Sequence, residues 1–299
     1  MAAFRILWRD ADRLPYLYTL KQCVEKHGLE IEMGRAPGQE YAELAIRGDA
    51  EMLLENYWNL QFSRAKGEPL ICVGCALNSI NEQILAGPGI STLQDLNGKK
   101  LAFRDMRPTN LIDPLWVKES GLDVELVPAN EREVGRWQSW KLVQSGAADA
   151  AIVSKLFCDE PIQQGLKPIP MGQFGFLGSV VFTTSRQVIE SRKADLEAFI
   201  KGAFDAAQVF KHDRAASLQI MKNAPEKLMT FDVQGDAHLE RLWEILSEEI
   251  AETPMPTAEA ISNFHKMTFP AYEELKDYNP LTMWDTSFAL RELDARRGL

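Results

Sequence analysis

The chain is poor in the residues that most often announce chemistry. It has 4 cysteines and 4 histidines in 299 residues. Cys72 and Cys75 form the one close pair, in CVGC, but no second pair follows at zinc-ligand spacing. Within the apolar segment PLICVGCAL they read as strand residues three apart, pointing to opposite faces, and free cysteine is among the most buried residue types. They are expected to be buried and inert. His27, His212, His238 and His265 are scattered and read as helix-surface or helix-end residues. Neither a metal site nor a cofactor is expected. No apolar run approaches the roughly 18 residues needed to cross a bilayer, and no repeat of solenoid period or low-complexity segment occurs. Positive charge is in deficit, with 33 Lys and Arg against 43 Asp and Glu and a net charge of -10. That balance argues against nucleic acid or an anionic membrane as the main partner. No secretion signal precedes FRILWRD, so the chain as numbered reads as cytoplasmic; a leader removed before numbering would make it periplasmic.

What is present reads as an ordinary globular chain. Hydrophobic residues make up 45% and charged residues 25%, and the length suits one large or two small domains. Strand and helix signals alternate through the first two thirds. FRILW is a strand, and LPYLYTLKQCVEKHG is a helix with Pro15 near its start and Gly28 at its end. LEIEMGRA alternates like a strand. In STLQDLNGKKLAF, a short helix ends at Gly98 and a strand begins. GRWQSWKLVQSG reads as a helix stopped by Gly146, with Trp137 and Trp140 on one core-facing side. From Ser185 onward the signals are helical. This is α/β followed by α, and mostly parallel sheets bind ligands beyond the carboxyl ends of their strands.

One pattern occurs twice. ELAIRGDAEMLLENYW (43–58) and KLVQSGAADAAIVSKLF (141–157) each run from helix to glycine to a short apolar strand. The first delivers Glu55, Asn56, Tyr57 and Trp58 at the strand's carboxyl end, and the second Ser154 and Lys155. Two such units suggest two lobes, each offering one wall of a ligand cleft.

An ordered set of segments then carries a family resemblance: FRILWRD, ELAIRGDAEMLL, SRAKGEPLICVGCAL, GPGISTLQDLNGKKLAF, LVQSGAADAAIV and FLGSVVFTTSRQVIESRKADLEAFIKGAFDAAQVFKHD. Together they resemble the type II periplasmic-binding-protein fold, in the group of alkanesulfonate-, taurine- and nitrate-binding proteins and the thiamine-pyrimidine synthases, without the cysteine-rich iron motif of the latter. The resemblance implies two α/β lobes, each a mostly parallel sheet flanked by helices, with extra C-terminal helices. Lobe 1 would comprise residues 1–98 plus 184–299 and lobe 2 residues 99–183. It also implies a small-molecule ligand between the lobes and hinge closure on it.

Candidate ligand residues sit at strand carboxyl ends and helix amino ends: Arg9, Asp10, Glu55, Asn56, Tyr57, Trp58, Asn78, Ser79, Arg107, Thr109, Asn110, Ser154, Lys155 and Ser179. FRDMRPTN leads into a helix whose free N–H groups attract anions. Arg104 or Arg107 could pair bidentately with a carboxylate or sulfonate, and Tyr57 and Trp58 could stack on an aromatic ligand. Two functions follow. One is a solute receptor for an organic anion, with an ABC permease as partner if a leader was removed. The other is a cofactor-independent decarboxylase, desulfinase or lyase, in which Asp10, Glu55 and Lys155 would be the catalytic groups and Cys158 the thiol placed nearest the cleft.

Overall fold

Ten strands form two five-stranded sheets among the residues described by the computed structural model, which are 3–8, 13–35, 41–80, 82–105, 112–178, 180–223 and 235–298, without the side chains of Tyr41 and Asn59. The strands are β1 (Phe4–Trp8), β2 (Ile31–Arg35), β3 (Met52–Glu55), β4 (Leu70–Cys75), β5 (Glu82–Ala86), β6 (Lys99–Asp105), β7 (Val124–Asn130), β8 (Ala150–Ser154), β9 (Lys167–Pro170) and β10 (Val181–Ser185). The helices are α1 (Leu14–Lys26), α2 (Tyr41–Ile46), α3 (Tyr57–Ala65), α4 (Ile112–Ser120), α5 (Glu131–Val134), α6 (Lys141–Gln144), α7 (Asp159–Gln163), α8 (Arg186–Ser191), α9 (Lys193–His212), α10 (Arg214–Asn223), α11 (Gly235–Glu249), α12 (Ala258–Thr268) and α13 (Ser287–Arg297).

The two sheets share one plan. Their strand orders are β2-β1-β3-β10-β4 and β7-β6-β8-β5-β9. In each, the fourth strand is antiparallel to both neighbours and the other four run parallel. The antiparallel strand is the one supplied from outside the local run of the chain. β5 precedes the other strands of its sheet, and β10 follows all those of its own. This is the mostly parallel, helix-flanked α/β form that the resemblance implies.

Residues 1–78, 176–261 and 274–299 form one compact unit, and 79–175 with 262–273 form the other. The sequence reading placed the first change of lobe after residue 98 and the return at 184. The structure divides the chain earlier at both points. The physical reason at the first is β5, which pairs with β8 along its whole length and with β9 from Gln83 to Ala86. Local sequence cannot show which sheet an isolated strand joins.

In the first unit, α1 and α9 cover the sheet. The apolar face of α9 (Leu196, Phe199, Ile200, Ala203, Phe204, Ala207, Phe210) recurs at helical spacing and is buried. Phe199 meets Phe4 at 6.2 Å and Phe182 edge-on at 5.2 Å, while Phe210 meets Tyr16 at 5.7 Å. Gly202 allows the close approach of the two helices, since a Cβ there would lie 2.5 Å from Val24 Cα. In the second unit the core gathers Leu85, Ala102, Trp140, Ala148, Ala151, Val153, Cys158 and Leu166.

One expected helix is corrected. Residues 135–146 do not form a single helix, and Trp137 and Trp140 do not share a helix face. α5 stops at Gly135 (φ +99), Trp137 takes φ +58, and α6 adds a single turn before Gly146. Ser139 Oγ donates to the Ile152 carbonyl at 2.8 Å, drawing this segment onto β8. Trp140 is core as expected.

Candidate functional site

The repeated pattern places β3 and β8 at the same position, third, in their sheets. Each is fed by a helix ending at a glycine with positive φ, Gly48 (+80) and Gly146 (+75). Three residues beyond each glycine stands an acid that grips the neighbouring strand by two backbone bonds. Glu51 N–H donates to the Arg5 carbonyl (3.0 Å) and its carboxylate accepts from Arg5 N–H (2.7 Å). Asp149 N–H donates to the Lys100 carbonyl (2.8 Å) and its carboxylate accepts from Lys100 N–H (2.8 Å). The equivalent of Asp149 is therefore Glu51 rather than Asp49, which the letters of the sequence suggest.

In the first unit, the carboxyl ends of β1 to β4 and the start of β10 share one edge. Glu55 ends β3 fully buried and opposite Val181. Asn56 caps α3, its side chain accepting from Trp58 N–H at 2.8 Å. Tyr57 is fully buried, with its ring 5.5 Å from that of Trp284 and its hydroxyl accepting from the Trp284 indole N–H at 3.2 Å. Trp58 is 8% exposed and packs edge-on to Phe62. These two rings sit in the core of their unit, where packing accounts for them. Asn78 spends its amide on its own unit, donating to the Met255 carbonyl (2.6 Å) and accepting from Thr257 N–H (3.0 Å). Val180 adds strain at this edge, with φ +61 on a β-branched residue and its carbonyl accepting from Ala76 N–H.

In the second unit the corresponding edge holds the ends of β6, β7 and β8 and the start of β5. Arg104, near the end of β6, forks onto Glu131 (Nε to Oε1 2.5 Å, Nη2 to Oε2 3.2 Å) and lies 4.2 Å over the Trp137 ring. The Trp137 N–H donates to the same carboxylate at 3.1 Å, and its ring stacks on Phe157. These contacts hold Trp137 in a left-handed conformation that costs a bulky residue of order 1–3 kcal/mol. The cluster is close-packed, and the recess among Arg104, Glu131, Gly135, Trp137 and Ser139 leaves no room for a water molecule. Arg104 is thus committed to its own unit and does not serve as the free anion clamp that the sequence offered. Ser154 ends β8 opposite Glu82, 4% exposed, and Lys155 opens the short turn 155–157. Ser79 bridges to Gly175.

Arg9, Asp10, Arg107, Thr109, Asn110 and Ser179 lie outside the described residues. Of the remaining candidates, the first unit holds Glu55, Asn56, Tyr57, Trp58 and Asn78, and the second holds Ser79, Ser154 and Lys155. Sequence reasoning missed Glu82, which opens β5 at the edge of the second sheet opposite Ser154.

All four cysteines are buried and none is in a disulfide. Burial pushes Cys72 up to about 12 and raises Cys75 further. Burial also raises Cys23, which lies within α1. Cys158 is fully buried and its Sγ donates to the Ser154 carbonyl at 3.2 Å, so it is a core residue rather than an exposed nucleophile. Among the described residues no group of three or more His, Cys, Asp or Glu could hold a metal ion, and no helix is long and apolar enough to cross a membrane.

A family model described as NMT1/THI5 like matches residues 24–216. No curated protein matches the sequence. Among solved structures, the periplasmic sulfonate-binding protein SsuA of a Methylobacillus flagellatus sulfonate ABC transporter superimposes with a TM-score of 0.70 at 12% identity, covering 99% of this chain and 95% of that one. The periplasmic aliphatic sulphonate binding protein SsuA from Escherichia coli gives 0.62 at 17% identity over 97% of each chain. The desulfurization enzyme DSZB gives 0.64 at 14% identity, covering 98% of this chain and 99% of that one.

Proposed function

The chain belongs to the NMT1/THI5-like family, and from that premise we propose that it is a receptor of the solute-binding type, taking a small organic anion, a carboxylate or sulfonate. The observation that carries this reading is the doubled sheet plan, which gives each unit a polar carboxyl edge of the kind where open α/β sheets bind ligands. The strained backbone at Val180 and Trp137, the two non-glycine residues with positive φ among those described, supports it. One stands beside each edge, and strain of this kind concentrates at ligand sites. The SsuA proteins, described as sulfonate-binding, support the anionic class. Ser154 and Lys155 are the second unit's contacts on this reading, Glu55 and Asn56 line the first unit's edge, and Arg107, Thr109 and Asn110 supply the anion clamp. An ABC permease is the downstream partner.

The enzyme DSZB gives the alternative its one specific support, since it has the same fold. Against a thiol mechanism stands the burial of all four cysteines. The test is a thermal-shift screen of alkanesulfonates and aliphatic and aromatic carboxylates, followed by product analysis of every hit. A hit recovered unchanged supports the receptor, whereas turnover replaces it with a cofactor-independent enzyme. Arg107→Ala is expected to weaken an acidic hit by about 1.5–3 kcal/mol, the size of a charged hydrogen bond; unchanged affinity removes the clamp.

A further inference from the structure

Trp137 holds a left-handed backbone (φ +58) that glycine would take without strain, as Gly135 takes φ +99 two residues earlier. A bulky residue persists in such a conformation only where its surroundings over-determine it. The Trp137 backbone N–H donates to Glu131 Oε1 at 3.1 Å. Its indole Nε1 is buried with no hydrogen-bond partner among the described residues, so the faces of the ring hold it rather than its polar edge. Arg104, forked onto Glu131, lies 4.2 Å over that ring. The ring in turn stacks on Phe157, with centroids 6.1 Å apart and planes 18° from parallel. The Arg136 guanidinium lies 5.9 Å from the centre of the Phe157 ring. Phe157 also packs on the core of the second unit, and it closes the 155–157 turn that Lys155 opens directly after β8. Ser154 gives that turn no side-chain cap.

The geometry points to Trp137 as a positioning residue: through Phe157 it fixes the turn that carries Lys155. A glycine at 137 would keep the path of the segment and remove its strain, so the reason for a tryptophan lies in the ring. Beyond Arg104, the partner of that ring is Phe157. A turn already ordered before binding leaves less entropy to lose when a long lysine side chain is fixed on an anion. The inference rests on the receptor reading only where it gives Lys155 a ligand to hold; the stack itself lies wholly within the second unit.

The first test is amide hydrogen exchange of the full chain without ligand. Trp137→Gly removes the ring and keeps the backbone conformation. It should speed exchange at the amides of Phe157 and Cys158 about fivefold, the size of a lost aromatic pair, and leave β6 and β8 at wild-type rates. Phe157→Leu should do the same with Trp137 in place, and Trp137→Phe, which restores a stacking ring, should return the wild-type rate. Unchanged exchange at Phe157 and Cys158, or a rise spread over the whole sheet, overturns the positioning role. Titration with ethanesulfonate then separates this inference from the receptor reading. Lys155→Ala and Trp137→Gly should weaken binding about tenfold and about fivefold, and the double variant no more than Lys155→Ala alone. Additive losses, or weakening by Lys155→Ala with none by Trp137→Gly, overturn the inference. No effect of Lys155→Ala overturns the receptor contact instead, and the exchange at Phe157 and Cys158 still decides for or against the stack.

Discussion

The two units solve one problem with the same parts and then diverge at the strand ends. In each, a helix stops at a left-handed glycine, an acid three residues later clamps the neighbouring strand through two backbone bonds, and the third strand of the sheet follows. The clamp differs in how it is held. Glu51 also accepts from Arg192 at 2.7 Å, and Arg192 in turn pairs with Asp195 at 2.6 Å. Asp149 grips the backbone of Lys100. Beyond the clamp the strands end differently, in buried Glu55 and the cap Asn56 on one side and in Ser154 and Lys155 on the other. The shared parts build the scaffold. On the receptor reading proposed above, specificity is expected to lie in Glu55, Asn56, Ser154 and Lys155 rather than in the clamps.

The clamps offer the largest break in this comparison. Glu51→Ala removes a charged bond to Arg192 and a backbone bond together and should cost about 2–4 kcal/mol in chemical denaturation. Asp149→Ala removes the bond to Lys100 N–H alone and should cost about 1–2 kcal/mol. Equal losses would show that the arginine adds nothing to the first clamp. The glycines should behave alike. Gly48→Ala and Gly146→Ala each force a Cβ into the left-handed region and should cost about 1–2 kcal/mol. A large difference between the two would mean that the shared turn is not shared in energy. The smallest effect concerns the thiols. Buried, and with Cys23, Cys72 and Cys75 raised above their ordinary range, they should resist alkylation at mildly alkaline pH until the chain is denatured. Rapid labelling of Cys158 in the folded chain would reopen the thiol-based enzyme.

Much of the scaffold was legible because it is local. Gly28, Gly48 and Gly146 stop helices where the sequence says they should, and CVGC lies in a buried strand. The doubled unit was visible as a spacing, though its register was not, because an acid's role depends on which neighbouring strand it reaches. Glu51 and Asp149 share that role while Asp49 only resembles it in letters. The misreadings have the same origin. β5 joins its sheet through partners more than sixty residues away. Tyr57 looked like a stacking platform because its partner, Trp284, lies at the other end of the chain. Arg104 looked free because Glu131 sits on a separate helix, and that same long-range pairing bends Trp137 out of an expected helix.

The central claim is that this doubled scaffold captures one small organic anion. Isothermal titration of the full chain with the strongest sulfonate or carboxylate from the thermal-shift screen tests it most directly. A saturating heat at one ligand per chain, weakened at least about tenfold by Lys155→Ala (roughly 1.4 kcal/mol) and unchanged in Asp149→Ala, is the result predicted. Absence of heat with every anion in the panel, or equal weakening by the two substitutions, would contradict it.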